Sequence, residues 1–562
     1  MKKVVMIGGM AAGCKAAARL KRLKPDYEIT VIEKKPFVSF GTCGMPFFAS
    51  GDIDDFNELM STPYGVVRDE DFFVKSKDIN VIVNTIVHKI DHDKRKVYFR
   101  NIVSGEESEK EYDELVLGTG AKPLKARFPC PDSDRISTFH NPLDAKRFRQ
   151  KAQTGQVGSA VVIGGGYIGS ELAEALVSLW GIETTLIELE DGLLPRCMDS
   201  EMSKLLETAY KENGVDLKLS TKVERIELDD EGLPTVITED GWNSGPVDYA
   251  FLCMGIKPEV ELAESIGVKI GKLGGIIVNE YLQTNLPNVW AAGDCIEVNN
   301  LISSKPSLFP LGSLANRQGR IIADNIAGRQ SIFKGAVGTI SMKVFGFVCA
   351  SSGLTPEEAE KMGYETDSVT ASFYDRPDYH PDSKNLFAKM TYDKKDMTLL
   401  GLQLAGFGEV PRYIDAFSIY ASDQATTYDL LDFEHAYTPP HSGPMNPLNF
   451  LGAMAISQEE GLECMSYIEA EKFNGQILDI REEPEAEAFP YSENAKVYPI
   501  KEYRKHIDEF DKDKPLLIVC QKGPRSYEAA LTFIKSGFRD VKYLGGGVQM
   551  AHKMLEEGEI GV

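Results

Sequence analysis

The 562-residue sequence lacks the features that would place it among secreted, membrane-spanning or nucleic-acid-binding proteins. Its nine cysteines are odd in number and irregularly spaced, which argues against a disulfide framework and suits a reducing compartment. The first residues resemble a buried strand and not a signal sequence, so we expect no signal peptide, and no apolar run reaches the 20 or so residues that could span a membrane. Acidic residues outnumber Lys and Arg by 85 to 62, and the net charge of −23 disfavours nucleic acid. We therefore expect a cytoplasmic protein with neither a nucleic-acid nor a membrane partner.

Histidine is also scarce. Of the eight histidines, only His88 and His92 have H-x-x-x-H spacing, and no cluster of metal-ligating residues is built from the others, so the sequence predicts no metal site. The chain is long enough for three or four domains. It also contains two glycine-rich turns, each of which follows a short apolar strand.

The first turn, Gly8–Gly13, lies between an apolar strand and a helix that reaches Leu23, and Glu33 ends the next strand. Small residues at such a turn let a pyrophosphate approach the helix N-terminus, and an acid about twenty residues later can bind a ribose. Met10 replaces the middle glycine of the usual fingerprint, so the pattern is imperfect. It still indicates a dinucleotide site.

The second turn, Gly164–Gly169, follows the strand 160–163 and has every glycine of the fingerprint. Glu188 ends the following strand at the expected spacing. An acid at this position favours an unphosphorylated ribose, so we predict NADH, with NADPH as the open alternative. Two such folds in one chain, the second inserted into the first, indicate that two dinucleotides meet.

The segments 115–123 and 284–294, together with the two turns, resemble the flavin-dependent pyridine nucleotide-disulfide reductases. In that family the segment ending in Gly-Asp places its carboxylate on the ribityl chain of FAD, a role the resemblance implies for Asp294. It also implies further contacts along the turns and strand ends. The cofactor-binding residues expected on this basis are Gly8, Gly9, Met10, Ala12, Gly13, Glu33, Lys34, Val87, Thr119, Gly120, Asp294, Ile163, Gly164, Gly166, Tyr167, Ile168, Gly169, Glu188 and Gly255.

The stretch Ser39-Phe40-Gly41-Thr42-Cys43-Gly44 holds one cysteine and no second cysteine within five residues. The best-known members of the family carry two cysteines there. A solitary Cys43 resembles the single-cysteine branch of coenzyme A-disulfide reductases, NADH oxidases and NADH peroxidases. The resemblance implies a sulfur that cycles between thiolate and a mixed disulfide or sulfenic acid. Met10 and Ala11 occupy the region where peroxidase and water-forming oxidase members carry a histidine, which argues against peroxide chemistry.

Three cations on the first helix, Lys15, Arg19 and Arg22, follow at i, i+4 and i+7 and predict one basic face. This face could receive the phosphates of coenzyme A, or it could be a solvated surface. Coenzyme A-disulfide reductases carry basic residues here. They also use residues that correspond to Ser39, Thr42 and Asn316, which are therefore expected substrate contacts.

Residues 336–455 resemble the dimerisation domain of these reductases and imply a homodimer. The family places two tyrosines of the partner subunit over the cysteine sulfur, and by local pattern these are Tyr379 and Tyr437. Their hydroxyls would donate to a developing thiolate, or they are simply interface or core aromatics. Two departures weaken the assignment: the approach to Tyr379 is not aromatic, and Met445 stands where a lysine often contacts the coenzyme.

The end of the chain resembles a single-domain rhodanese. The strand 477–481 closes in Asp-x-Arg, and the strand 515–520 ends in Cys520, followed by a loop that runs into a helix. A helix N-terminus there would lower the pKa of the thiol and bind an anion. The resemblance implies that Cys520 carries a persulfide and that Arg525 closes the loop; a degenerate, inactive copy is the alternative.

We therefore predict an α/β protein with two nested Rossmann-like dinucleotide-binding domains, an α+β dimerisation domain and a C-terminal α/β rhodanese-like domain. The expected activity is NADH- and FAD-dependent reduction of coenzyme A persulfide, polysulfide or coenzyme A disulfide through Cys43, with sulfane sulfur handled by Cys520. The alternatives are a plain coenzyme A-disulfide reductase or coenzyme A-dependent NADH oxidase with an accessory rhodanese unit, and a flavin-containing redox sensor or sulfur carrier. The predicted boundaries are 1–125 and 250–335 (FAD), 126–249 (NADH), 336–455 (dimerisation), 456–472 (linker) and 473–562 (rhodanese-like).

Overall fold

The computed structural model describes residues 2–555. These form two compact units: one contains the chain up to residue 187 together with 221–336, and the other contains 188–220 and the chain from 337 onward. Residues 556–562, the end of the predicted rhodanese-like domain, lie outside the described residues. Within the described range, no helix has both the length and the apolar character needed to cross a membrane.

The first unit contains a five-stranded parallel sheet that carries the first glycine turn. Its central strands are almost wholly apolar and buried, as expected for a parallel sheet covered on both faces. Val5 pairs with Thr30 on one side and with Leu115 on the other. In spatial order the strands are Val289–Ala291, Glu114–Leu117, Lys3–Ile7, Glu28–Ile32 and Asn80–Ile82.

A second parallel sheet in this unit carries the second glycine turn. Tyr249–Leu252 pairs with Ser159–Ile163, so this sheet continues past residue 249, where the sequence analysis ended the NADH domain. The four residues of that strand are all apolar and buried, a pattern that fits either sheet equally well. The strands in spatial order are Glu183–Ile187, Ser159–Ile163, Tyr249–Leu252 and Ile136–Ser137.

The other elements of this unit are small antiparallel sheets and connecting helices. The strands are Thr85–Asp91, Lys96–Asn101 and Glu107–Glu111; Val223–Leu228, Pro234–Thr238 and Asn243–Pro246; Ala121–Pro123 with Ile256–Pro258; and Val298–Asn299 with Pro306–Ser307. The α-helices are Ala11–Leu23, Met45–Ser50, Glu70–Lys77, Pro142–Gln153, Tyr167–Ser178, Glu261–Ser265 and Gly312–Ile326, and the 3₁₀ helices are Thr42–Gly44 and Phe56–Met60.

The second unit is built around a five-stranded antiparallel sheet. Its long strands are buried over most of their length, and helices cover it. In spatial order the strands are Ile340–Val344, Phe347–Gly353, Leu399–Gly406, Asn385–Asp393 and Thr366–Tyr374. The helices of this part are Ser200–Glu212, Pro356–Met362, Val410–Ser422, Thr427–Leu431 and Pro447–Glu459, and a short strand covers Asp216–Lys218.

A five-stranded parallel sheet forms the C-terminal part of the second unit. Glu463–Met465 is its edge strand and pairs with Val541–Leu544, although the sequence analysis assigned residues 456–472 to a linker. A three-residue strand is too short for a visible period, and its Cys464 and Met465 are buried only once it pairs. In spatial order the strands are Glu463–Met465, Val541–Leu544, Leu516–Val519, Gln476–Asp479 and Ala495–Val497; the helices are Tyr467–Ala470, Glu483–Ala488, the 3₁₀ helix Tyr503–Glu509, Pro524–Lys535 and Gly547–Leu555.

Candidate active site

Cys43 lies in the one-turn helix Thr42–Gly44, at the surface of the first unit. The turn is anchored by its backbone: Gly41 donates its N–H to Leu59 O at 2.7 Å, and Ser39 donates its N–H to Gly9 O at 2.8 Å. The second bond joins the cysteine stretch directly to the first glycine turn. The Cys43 thiol is therefore fixed next to a dinucleotide-type cradle.

The electrostatic surroundings of Cys43 favour the neutral thiol. Desolvation raises its pKa, and the negative charges of Glu171 and Asp294 raise it further, whereas the Thr42 hydroxyl lowers it. An added hydrogen-bond donor or positive charge beside the sulfur would favour its thiolate.

The first glycine turn has the close approaches that a dinucleotide cradle needs. A Cβ on Gly13 would lie 1.9 Å from Gly8 O, so no larger residue fits between the helix and the turn. The buried carboxylate of Glu33 accepts the Gly9 N–H at 2.6 Å and holds the turn against the strand end. Met10 occupies the N-cap of the helix Ala11–Leu23, and Ala12 is buried in its first turn.

The other predicted contacts of the first cofactor lie around this turn. Lys34 forms an ion pair with Glu259 at 2.6 Å, and the Thr119 hydroxyl donates to the Glu259 carbonyl at 2.5 Å. Val87 is buried in its strand. Gly120 and Gly255 both adopt positive φ, so these predicted positions coincide with sharp backbone turns.

Asp294 follows the returning strand Val289–Ala291, and burial raises its pKa to about 6. A partly buried carboxylate at the edge of the first sheet is a strong acceptor for hydroxyl groups. This chemistry fits the ribityl chain of a flavin, and with the glycine cradle it fits FAD.

The second glycine turn has the same geometry as the first. A Cβ on Gly169 would lie 1.9 Å from Gly164 O, whereas one on Gly166 would meet no atom within 4 Å. The turn therefore packs tightly against the helix Tyr167–Ser178 and leaves room beside its N-terminus, as a pyrophosphate requires. Ile163 ends the preceding strand and is buried, and Tyr167 and Ile168 begin the helix. Glu188, directly after the strand Glu183–Ile187, accepts the Glu190 N–H at 2.9 Å.

A cavity of about 450 Å³ opens beside Cys43. Five of the six predicted coenzyme A contacts line it, together with the cysteine itself: Lys15, Arg22, Ser39, Thr42, Asn316 and Cys43. The sixth, Arg19, does not. It forms an ion pair with the buried carboxylate of Asp324 at 2.8 Å, because the helix Gly312–Ile326 packs against that side of Ala11–Leu23.

Sequence reasoning missed several residues of this cavity and its surroundings. Arg68 and Lys77 add two cations to the lining, and Tyr64 and Phe72 add aromatic rings. The sequence feature that could have indicated these residues is weak: Arg68 and Lys77 are basic residues in an acidic chain. Glu171 was also missed; burial, followed by the charge of Glu174, raises its pKa to about 7. Its signal was an acid two residues beyond the second glycine turn.

The two predicted tyrosines lie at the surface of the second unit. Tyr379 is 72% exposed and Tyr437 is 52% exposed, and Met445 is also exposed. Arg376 connects their segments, because it binds Asp375 and also donates to Pro440 O at 3.1 Å. Both phenol groups are therefore accessible at this surface.

Cys520 is fully buried at the end of its strand. Its sulfur accepts the Gly523 N–H at 3.1 Å and the Ser526 hydroxyl at 3.3 Å. Arg525 forms two hydrogen bonds with Glu485, at 2.7 and 2.8 Å, beside the loop. The Gly523 N–H and the Ser526 hydroxyl can therefore both donate to this sulfur.

One family model matches more than half of the chain: the model described as pyridine nucleotide-disulphide oxidoreductase covers residues 2–319. The chain belongs to this family. The dimerisation domain of the same family matches residues 340–447, and a rhodanese-like domain matches residues 464–552. The predicted α/β fold and oxidoreductase class are thereby confirmed, and the family implies FAD and a pyridine nucleotide.

Three relatives of this oxidoreductase cover between 80% and 98% of the chain. The "NAD(P)H sulfur oxidoreductase (CoA-dependent)" of Pyrococcus abyssi is 36% identical, over 80% of this chain and 96% of its own. A solved NAD-dependent persulfide reductase from A. fulgidus has a TM-score of 0.92 and 36% identity, covering 98% of this chain and 99% of its own. Reduced Bacillus anthracis CoADR-RHD has a TM-score of 0.91 and 30% identity, covering 98% of each chain.

Proposed function

We propose that this oxidoreductase uses NADH and FAD to reduce coenzyme A persulfide, polysulfide or coenzyme A disulfide at Cys43, and that Cys520 handles sulfane sulfur. The observation that carries the proposal is the 450 Å³ cavity, whose lining combines the single redox cysteine with four cations in an acidic chain. The similarity to proteins named as a coenzyme A-dependent sulfur oxidoreductase and as a persulfide reductase supports it.

The cavity suits a coenzyme A thiol compound. Lys15, Arg22, Arg68 and Lys77 supply positive charge for phosphate groups, and guanidinium groups bind phosphate through paired hydrogen bonds. The aromatic rings of Tyr64 and Phe72 offer faces on which a base can stack. A ligand held by these groups would bring its sulfur to Cys43.

The chain's own residues would hold the two cofactors. The turn Gly8–Gly13, Glu33 and Asp294 would bind FAD, and the turn Gly164–Gly169 with Glu188 would bind NADH in preference to NADPH. When bound, these cofactors supply the hydride and the electron pair that reduce a disulfide at Cys43.

The reaction at Cys43 then balances as a thiol–disulfide exchange. The Cys43 thiolate attacks the inner sulfur of coenzyme A persulfide, forms a mixed disulfide with coenzyme A and releases hydrosulfide. Two electrons and one proton return the Cys43 thiolate and free coenzyme A thiol. In a homodimer, the partner subunit's Tyr379 and Tyr437 would donate hydrogen bonds to the Cys43 sulfur, which would stabilise its thiolate and offset the raised pKa of Cys43.

Cys520 would take the outer sulfur of a polysulfide as a persulfide and pass it to the coenzyme A thiolate. That exchange regenerates the Cys520 thiolate and forms coenzyme A persulfide, the substrate of Cys43. The donors from Gly523 and Ser526 stabilise the thiolate that leaves.

The proposed homodimer and compartment rest on further observations. The dimerisation domain exposes large apolar side chains that a partner subunit would cover, among them Ile419, Tyr428, Leu431 and Phe450. All nine cysteines are free thiols, as in a reducing cytoplasm.

The test compares NADH oxidation with polysulfide, coenzyme A persulfide, coenzyme A disulfide and oxygen. Cys43→Ser should abolish turnover on all sulfur substrates while the flavin remains bound. Cys520→Ser should slow only the polysulfide reaction that needs sulfur transfer. Cys130→Ser, which removes a thiol outside the cavity, is the matched control. Full polysulfide turnover in Cys520→Ser would contradict the transfer step, and full turnover in Cys43→Ser would contradict the whole proposal.

A further inference from the structure

The loop after Cys520 sends one side chain onto the antiparallel sheet of the same unit. The Lys522 ammonium donates a hydrogen bond to Asn385 Oδ1 at 2.8 Å and lies over the ring of Tyr374. Tyr374 and Asn385 are paired residues at the ends of two adjacent strands. Lys522 therefore binds both strands of one hairpin, at the point where the hairpin loop begins.

That hairpin loop, residues 375–384, carries Tyr379 and is held at its base by Asp375. The buried Asp375 carboxylate accepts the Lys384 N–H at 2.9 Å and pairs with Arg376 at 2.8 Å. Arg376 also donates to Pro440 O, three residues after Tyr437. The segments of both tyrosines thus belong to one hydrogen-bonded network whose base Lys522 contacts.

A second contact joins the C-terminal domain to the same hairpin. Gly546 donates its N–H to Thr370 O at 3.0 Å and accepts the Ser372 hydroxyl at 2.6 Å. The backbone at Gly547 lies against Gln521 and Lys522, so the glycine run and the cysteine loop are packed together. Two neighbouring loops of the C-terminal domain hold one strand of the hairpin, Thr366–Tyr374.

The Lys522 contact is a charge contact in a partly desolvated position. Burial lowers the pKa of Lys522 to about 7, and the negative charge of Asp378, in the hairpin loop, opposes this shift. Burial, followed by the negative charge of Asp378, raises the pKa of Tyr374. The amide oxygen of Asn385 and the ring face of Tyr374 are both partners that an amino group can bind, and both contacts are strongest when the group is protonated.

We propose that Lys522 is a positioning residue for the reduction at Cys43: it fixes the hairpin loop of Tyr379 to the loop of Cys520. The inference rests on the proposed function, because it requires Tyr379 to act at the partner subunit's Cys43. It goes further in assigning a role to a residue of the C-terminal domain in a reaction that does not use Cys520.

The test uses the full-length holoenzyme and coenzyme A disulfide, a substrate that needs Cys43 but not sulfur transfer. Lys522→Met and Asn385→Leu each remove the contact that fixes the loop of Tyr379, so each should lower kcat about threefold or more and leave the KM for NADH unchanged. The two residues contact each other, so their effects should be energetically coupled. The double variant should be no slower than Lys522→Met alone, and Lys522→Arg should recover most of the rate. Lys535→Met, an exposed lysine of the same domain, is the control and should match wild type.

Hydrogen exchange supplies a readout that is independent of activity. Residues 376–383 should exchange faster in Lys522→Met than in wild type or Lys535→Met. Unchanged exchange there, or single-variant effects on kcat that multiply in the double variant, would overturn the positioning role. Wild-type protein that reduces none of the three sulfur substrates, while exchange in 376–383 still responds to Lys522→Met, would instead overturn the proposed function and leave the structural link established.

Discussion

Arg525 and Glu485 form a two-bond ion pair beside the loop that holds Cys520. The pair joins the first turn of the helix Pro524–Lys535 to the helix Glu483–Ala488, so it fixes the loop between the cysteine and the helix. Paired guanidinium–carboxylate bonds impose geometry as well as stability.

Loss of this pair should impair sulfur transfer and spare reduction. We expect Arg525→Ala to lower the transfer of sulfane sulfur to cyanide about tenfold, since bonds between charged groups are the strong ones. Reduction of coenzyme A disulfide should not change. Arg539→Ala, which breaks an exposed ion pair with Asp513 in the same domain, is the control and should have no effect. An equal loss of sulfur transfer in both variants would show that Arg525 contributes only through the overall charge of the domain.

The same pair sets an expected pH dependence. Arg525 lowers the pKa of Glu485 below its ordinary value of 4.5, so the carboxylate stays charged in the folded protein when a free glutamate would begin to take up a proton. The stabilisation is present above pH 4.5 and is lost as the pH falls through the lowered pKa. Thermal unfolding of wild type and Glu485→Gln, compared at pH 7 and pH 5, should therefore show the same difference at both values. A difference that disappears at pH 5 would contradict the assignment.

Asp294 should control how tightly flavin is held. Its carboxylate form is the better acceptor for a ribityl hydroxyl, and burial raises its pKa to about 6 before the ligand binds. Flavin retention by wild type should therefore weaken as the pH falls through about 6. Asp294→Asn should retain less flavin at pH 8 and show little change between pH 8 and pH 5. The measurement is the flavin absorbance that remains after gel filtration. A variant that keeps the full pH dependence would exclude Asp294 as the titrating group.

Both glycine turns and the neighbourhood of Cys43 could be predicted because each is a local pattern. A strand, a glycine-rich turn and a helix create the same close approach twice, at Gly13 and at Gly169. The stretch around Cys43 was readable for a similar reason, since its glycines and its single thiol are adjacent in the chain.

The cavity wall opposite the first helix could not be predicted. Arg68 and Lys77 reach it from a turn and a helix that are brought there only by tertiary packing. Arg19 was predicted to be part of the coenzyme site, and tertiary packing removes it from that site. Helical spacing placed it on the basic face, but the buried Asp324 of a neighbouring helix binds it. The edge strand Glu463–Met465 could not be predicted from the sequence, because three residues are too few to show the alternation of apolar and polar residues that indicates a strand.

The first helix offers a direct comparison of two arginines. Arg22→Ala should raise the KM for coenzyme A disulfide about fivefold, because it removes a cation from the cavity without breaking a buried pair. Arg19→Ala should leave this KM unchanged and lower the free energy of unfolding by about 1–3 kcal/mol, since it deprives a buried carboxylate of its closest cation. Steady-state kinetics and denaturant unfolding separate the two. A raised KM in Arg19→Ala would restore Arg19 to the coenzyme site.

Glu171 should tune the reactivity of Cys43. Burial raises the pKa of Glu171 to about 7, so its negative charge develops fully only above that pH, where it opposes formation of the Cys43 thiolate. Glu171→Gln should therefore lower the pKa of Cys43 by about half a unit or more, because a like charge is removed. The pKa can be read from the pH dependence of iodoacetamide alkylation of the NADH-reduced enzyme, with the Cys43 peptide followed by mass spectrometry. Glu264→Gln, at an exposed position in the same unit, should leave the alkylation profile of wild type intact. If Cys43 shows the same pH dependence of alkylation in Glu171→Gln and in Glu264→Gln, the charge of Glu171 does not raise the pKa of Cys43.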